Sequence, residues 1–173
     1  SVWVSHQPQA VSRIDPKTRT VLGTIKVGNG PAGMAATEEA VWVVNHGDRS
    51  VSRIDPARNL VVATIKVGKN PLLVGTHAGS LWVTNQGGGS VTRIDPKTNA
   101  VLAEVRVGKS ASGLASGDGG IFVSVFEEGI VCRIDPSTNK VVSRFKVGSG
   151  PAGMVYAADQ LWVANQRDDA VVR

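Results

Sequence analysis

Apolar and polar residues alternate along this chain in short runs, and runs of one kind return at regular intervals. Val61, Ala63, Ile65 and Val67 alternate with Val62, Thr64 and Lys66, a period of two that predicts a strand with one buried face. Val141, Ser143, Phe145 and Val147 largely keep that period. Ahead of these runs stand two other kinds. Ala40-Val41-Trp42-Val43-Val44-Asn45 is β-branched and aromatic, and Ser50-Val51-Ser52-Arg53-Ile54 follows it; both predict strands. The fourth kind, Pro31-Ala32-Gly33-Met34-Ala35-Ala36-Thr37, is built of small residues behind a proline and predicts a strand where little side-chain volume fits.

Turn chemistry separates the runs and sets their spacing. Arg13-Ile14-Asp15-Pro16 recurs at Arg53 to Pro56, Arg93 to Pro96 and Arg133 to Pro136, and Val27-Gly28 recurs at Val67-Gly68, Val107-Gly108 and Val147-Gly148, always 40 residues apart. Asp before Pro starts a turn, because proline presets φ and the carboxylate accepts a backbone N–H two residues on. These aspartates therefore read as structural. A 40-residue period carrying four short strands is the signature of a β-propeller blade. The fold class expected is all-β: a propeller of four-stranded antiparallel blades, present as an incomplete ring.

In that register the chain holds a partial blade over 1–28, whole blades over 29–68, 69–108 and 109–148, and a partial blade over 149–173. The strands expected number three, twelve and three, which is not a whole number of blades, so the natural chain is expected to continue in both directions. An aromatic holds one strand position in each unit, as Trp42, Trp82, Phe122 and Trp162, with Trp3 one residue out of step. Such placement predicts rings buried between neighbouring blades, with ligand stacking as the alternative.

Composition narrows the class without naming a function. The 173 residues are 42% hydrophobic with 20 glycines and a mean hydropathy of +0.00, as in an ordinary globular chain rich in turns. No run approaches a membrane span, and Ser1-Val2-Trp3-Val4 lacks the parts of a signal peptide, so the chain is expected to begin inside a domain. One cysteine, Cys132, excludes an intrachain disulfide and reads as a small buried residue. The net charge of +5 raises nucleic acid as a partner. Yet Arg13, Arg53, Arg93, Arg133 and Arg173 share one repeat position and Lys26, Lys66, Arg106 and Lys146 another, which predicts a solvated rim and no nucleic-acid partner.

In a propeller the loops from second to third strand, and those joining successive blades, share one face, and loops on a rigid ring are free to vary. That face supplies the candidate ligand-binding residues: Asn45, His46, Asp48 and Arg49; Asn85 and Gln86, followed by Gly87-Gly88-Gly89; Phe126, Glu127 and Glu128; and Asn165, Gln166 and Asp168. The repeated asparagines also read as caps of loop backbone. Phe126-Glu127-Glu128 departs from the Asn-led pattern, which marks either drift at a loop tip or a recognition element. Catalytic and metal-ligating residues are expected to number none. His6 and His46 fall in upper loops, His77 falls on the opposite face, and the acidic residues sit on separate blades at loop tips. Rim carboxylates are expected to be exposed and at most weakly paired with Arg49 or Arg167.

Leu81-Trp82-Val83-Thr84-Asn85, Val91-Thr92-Arg93-Ile94-Asp95-Pro96 and Val105-Arg106-Val107-Gly108 resemble the YVTN-type β-propeller repeat, related to streptogramin B lyase-like and NHL-like propellers. The resemblance covers essentially the whole chain and implies an extracytoplasmic location. Lyases of this kind place histidine and carboxylates around magnesium at the channel mouth, whereas Pro31-Ala32-Gly33-Met34 and Pro151-Ala152-Gly153-Met154 carry no histidine. The function expected is non-catalytic recognition or scaffolding: a propeller without cofactor or membrane span that binds a protein, glycan or small ligand through its loop face and docks on the remaining blades of its ring. The alternatives are a lyase-type or redox enzyme whose catalytic residues lie outside this segment, and a sensor module of a signalling protein.

Overall fold

The structure, a computed structural model, describes residues 1–173. It consists of eighteen strands in five antiparallel sheets, and each sheet follows chain order. The first holds β1 (Val2–His6), β2 (Ala10–Ile14) and β3 (Val21–Lys26). The second holds β4 (Pro31–Ala36), β5 (Val41–Asn45), β6 (Ser50–Asp55) and β7 (Leu60–Lys66). The third holds β8 (Pro71–His77), β9 (Ser80–Asn85), β10 (Ser90–Ile94) and β11 (Val101–Arg106). The fourth holds β12 (Ala111–Gly117), β13 (Gly120–Val125), β14 (Ile130–Asp135) and β15 (Lys140–Lys146). The fifth holds β16 (Pro151–Ala157), β17 (Gln160–Asn165) and β18 (Ala170–Val172). The innermost strands β4, β8, β12 and β16 lie side by side in succession, so the sheets form an open arc of propeller blades.

The core lies between sheets, and strand alternation explains why. Successive side chains of β5 point to opposite faces: Val41 and Val43 pack with Val11 and Ile25 of the sheet before, while Trp42 and Val44 pack with Val74, Leu81 and Val83 of the sheet after. One sheet later, Trp82 and Val91 pack against Ile121, Val123 and Cys132. Second strands are therefore buried on both faces, which is why they read as continuous apolar runs. Trp42 and Trp82 are buried as expected, whereas Trp162 is 39% exposed. Each aromatic faces the following sheet, and the fifth sheet has none against that side. Phe122 occupies the same position and stacks on Tyr156 of the next sheet, ring centroids 5.8 Å apart.

The repeated arginine corrects the solvated-rim expectation. Arg13, Arg53 and Arg93 are half-buried, and their guanidinium carbons lie over the rings of Trp3, Trp42 and Trp82 at 5.4, 5.2 and 5.1 Å. Each also reaches across to the turn of the next sheet. Nη1 of Arg13, Arg53 and Arg93 donates to Oδ1 of Asn59, Asn99 and Asn139 at 3.1, 3.2 and 2.9 Å, and Arg13 and Arg93 also donate to the carbonyls of Pro56 and Pro136. Those asparagines hold φ of 53°, 62° and 57°, a left-handed conformation that asparagine adopts at little cost. Arg133 finds no Pro-Asn pair in the fifth sheet, and its buried Nε has no partner.

Near the axis a second tie joins the sheets. Thr84 Oγ1 accepts the Leu73 N–H of its own sheet and donates to the Ser112 carbonyl of the next. Ser124 does the same between Gly113 N–H and the Ala152 carbonyl, and Ser5 donates to the Ala32 carbonyl. Val44 stands at the equivalent position and interrupts the series.

The Asp-Pro turns form as the sequence predicts. The backbone N–H of Lys17, Ala57, Lys97 and Ser137 donates to Oδ1 of Asp15, Asp55, Asp95 and Asp135, each at 2.8 Å. Hydrogen bonding to the ionised form favours it. The backbone bonds from Lys17 and Lys97 accordingly hold Asp15 and Asp95 below the ordinary carboxyl value, and the Ser137 hydroxyl and N–H do so for Asp135.

Two outcomes follow from these ties. Arg93→Ala removes a stacked cation and three hydrogen bonds, to Ser80, Pro136 and Asn139, with an expected loss of about 2 kcal/mol and about 4–8 °C in Tm; Arg93→Lys should not restore it, since an ammonium lacks the planar fork. Thermal unfolding checks both. A carboxyl whose folded pKa is lowered stabilises the fold above its unfolded pKa, and that stability disappears as pH falls through the folded one. Replacing Asp15, Asp95 and Asp135 together by Asn should therefore shrink the fall in urea midpoint between pH 7 and pH 3 relative to the parent protein.

Candidate functional site

The loops from second to third strand and the loops between sheets meet at one end of the arc, and backbone bonds lock them together. The N–H of His46, Gln86, Phe126 and Gln166 donates to the carbonyl of Gly30, Asn70, Ser110 and Gly150, at 2.9, 2.9, 3.0 and 2.9 Å. The sequence therefore places these loops on the correct face, but their side chains divide into groups with different work.

Asn45, Asn85 and Asn165 lie beneath the loop surface, buried to 0%, 0% and 2% exposure. Instead of capping loop backbone, the Asn45 amide donates to the hydroxyls of Ser50 and Ser52 at 3.0 and 2.9 Å, and Asn85 donates to Ser90 and Thr92 at 3.1 and 2.8 Å. Asn165 donates to the Val147 carbonyl. These amides fill the space above the Val-Gly turn: a Cβ on Gly28 or Gly68 would come within 2.6 Å of the Asn45 or Asn85 Cγ. This close approach fixes Gly28, Gly68 and Gly148, whereas Gly108, at φ 139°, faces Glu128 and Val125 instead.

The acidic residues behave similarly. A carboxylate oxygen of Asp48, Glu128 and Asp168 accepts the backbone N–H of Asn29, Lys109 and Ser149, at 2.7, 2.8 and 2.6 Å. Each clamps the connection arriving from the preceding sheet. His46 is half-buried, with Nδ1 3.0 Å from the Pro71 carbonyl. Arg49 and Gln166 are exposed and Gln86 is half-buried.

Phe126 and Glu127 do converge with a third group. The Arg167 guanidinium lies over the Phe126 ring at 4.7 Å and pairs with Glu127 at 3.1 Å, both charged side chains being about half exposed. An aromatic face, a cation and an anion thus stand together across the boundary between fourth and fifth sheets. The Glu127–Arg167 pairing is the one expected for the rim, and an ion pair this exposed contributes little to stability. No group of three or more His, Cys, Asp or Glu side chains lies close enough to hold a metal ion.

Sequence reasoning passed over Arg167 as a site residue, and Arg144 altogether. Arg144 donates to the Val107 carbonyl at 2.6 Å and lies 3.1 Å from Cys132 Sγ. Burial pushes the Cys132 thiol up, and the Arg144 charge works against it. The available signal was a break in the repeat, since Thr64 and Glu104 occupy the position of Arg144.

No protein-family model and no curated protein matches this chain. Solved structures share its fold at low identity, among them the following two. Kuenenia stuttgartiensis hydrazine synthase superposes with a TM-score of 0.83 and 20% identity, over 90% of this chain and 49% of that one. A streptogramin B lyase structure superposes with a TM-score of 0.78 and 14% identity, over 95% of this chain and 61% of that one. The chain spans about half the length of the first and about three fifths of the second, and the relationship is a distant one to β-propeller-like folds.

The buried amides yield a stability test. Gly68→Ala drives a methyl into Asn85 and should cost about 1–3 kcal/mol by urea unfolding, as over-packing does. Combined with Asn85→Ala, which removes the obstructing amide, the loss should fall short of the sum of the two single variants.

Proposed function

We propose that this chain is part of a non-catalytic recognition propeller that binds a protein, glycan or small ligand through its loop face. The observation that carries the reading is the Phe126–Glu127–Arg167 cluster. The buried asparagines and the acids Asp48, Glu128 and Asp168 are spent on holding the scaffold, whereas the aromatic ring, guanidinium and carboxylate of this cluster gather at the boundary with no such backbone clamp. A ring face beside paired donors and acceptors suits partners that combine flat apolar patches with hydroxyl or amide groups.

The fit of the Leu81–Asn85, Val91–Pro96 and Val105–Gly108 segments to the YVTN-type repeat supports assignment to that kind of propeller. It also supports an extracytoplasmic setting. Both go with the resemblance alone. Docking of further blades is supported by the exposed Trp162, whose counterparts Trp42 and Trp82 are covered by a following sheet.

The test is a binding screen against glycan, peptide and small-molecule panels, read by amide chemical shifts. Ligands should perturb residues 126–128 and 166–168, and Phe126→Ala should weaken binding about tenfold or more, as loss of an aromatic anchor does, with little change in Tm. Titration with magnesium, calcium and zinc is the counter-test. Tight metal binding lost in Glu127→Ala or His46→Ala would overturn the recognition reading in favour of an enzyme.

A further inference from the structure

The repeat provides an internal reference for every boundary between sheets, and one boundary departs from it. Between the third and fourth sheets, on the outer part of the loop face, lies a cleft of about 680 Å³. Gly87, Gly88 and Gly89 form one wall, and Arg106, Lys109 and Arg144 line the rest with Glu128. Between the first and second sheets the corresponding cleft is smaller, about 430 Å³, and Thr64, Ser52 and Ser50 line its equivalent wall. Between the second and third sheets Glu104 takes the place of Arg144 and accepts the Ser90 hydroxyl at 2.7 Å. The position that is Thr64 and then Glu104 becomes cationic only at Arg144, while Lys109 keeps the lysine of Lys69 at the position that is Asn29 ahead of the second sheet.

The three cations have no carboxylate partner, since Arg167 with Glu127 is the ion pair of this chain. Glu128 also lines the cleft, yet one of its carboxylate oxygens is engaged by the Lys109 backbone N–H. Both guanidinium groups are held in place by carbonyls: Arg106 donates to Gly88 at 3.0 Å and Arg144 to Val107 at 2.6 Å. Arg106 uses one N–H of five and Arg144, whose Nη1 also lies 3.1 Å from Cys132 Sγ, at most two, so donors remain for a ligand. Held in this way, the arginines lose less freedom on binding than free surface side chains would. The glycine run leaves the wall without side chains where Asp48 and Arg49 stand in the second sheet.

We infer that this cleft is a binding site for a tetrahedral oxyanion, a phosphate or sulfate group carried by a small ligand, with Arg106, Lys109 and Arg144 as its donors. Guanidinium forks match such oxygens in pairs, and Lys109 adds a compact charge. The site is confined to one boundary, which suits a single anionic group and not a continuous polyanion. It is separate from the Phe126 cluster and does not depend on the recognition reading.

Inorganic phosphate and inorganic sulfate are the probes, titrated in buffer of physiological ionic strength and followed by the amides of Gly87–Gly89 and the Nε–H signals of Arg106 and Arg144. Saturable shifts are expected with one or both. Arg144→Thr and Lys109→Asn, which install the residues of the equivalent earlier positions and so suit the fold, should each weaken binding about tenfold. Lys66→Gln, outside the cleft, should leave it unchanged. The two sources separate by pH: binding of inorganic phosphate should strengthen as pH rises through its second ionisation, close to neutrality and above the value near 6 of a phosphate ester, while sulfate binding stays level. Shifts that never saturate, or that survive Arg144→Thr unchanged, or that fall equally in Lys66→Gln, overturn the proposal.

Discussion

A single four-stranded sheet of this chain has two apolar faces and cannot shield either alone. The contact between successive sheets is therefore the constraint on which the structure depends. It is made at three depths. Hydroxyls of Ser5, Thr84 and Ser124 bridge to the next inner strand, aromatic and β-branched side chains interdigitate in the middle, and arginine closes the outside by lying on its own tryptophan while grasping the next turn. Polar ties at both margins fix the angle and height at which the apolar layer meets. Burial supplies most of the driving force, and the ties select one arrangement among the many that apolar surfaces allow.

This division explains why the repeat is so regular. Arg93, Trp82, Asp135, Pro136 and Asn139 belong to adjacent units and act on one another. A change in one unit is felt in the next, so spacing and residue type are held together. The Val-Gly turn is held for a different reason, the close approach of a side chain from the loop above it, an asparagine amide at Gly28, Gly68 and Gly148. Freedom is left at positions outside these shared ties. The departures that matter most, Phe126-Glu127 in a loop and Arg144 on β15, fall at such positions.

The same logic separates scaffold from site on the loop face. Of the candidate residues, the asparagines are buried donors and three of the acids are clamps on backbone N–H groups. Their repetition was a sign of structural duty. Residues that differ from their equivalents in other units carry the stronger case for function.

Periodicity and turn chemistry, both local, were legible in the sequence: the alternation of Val61 to Val67, the continuous run of Ala40 to Asn45, the Asp-Pro turns and the glycine of Val-Gly. The 40-residue spacing then required equivalent sheets, and the aromatic at Trp42 and Trp82 could be placed between them. What only the tertiary structure decided is which side chains meet across a boundary. Arg93 reads as a surface charge because its partner Asn139 is 46 residues away, and Thr84 reads as an ordinary strand residue because its acceptor is 28 residues on. Asn85 reads as a loop cap until the Gly68 turn closes over it. Arg144 meets Arg106 and Lys109 only when two sheets dock, and no local pattern encodes that docking.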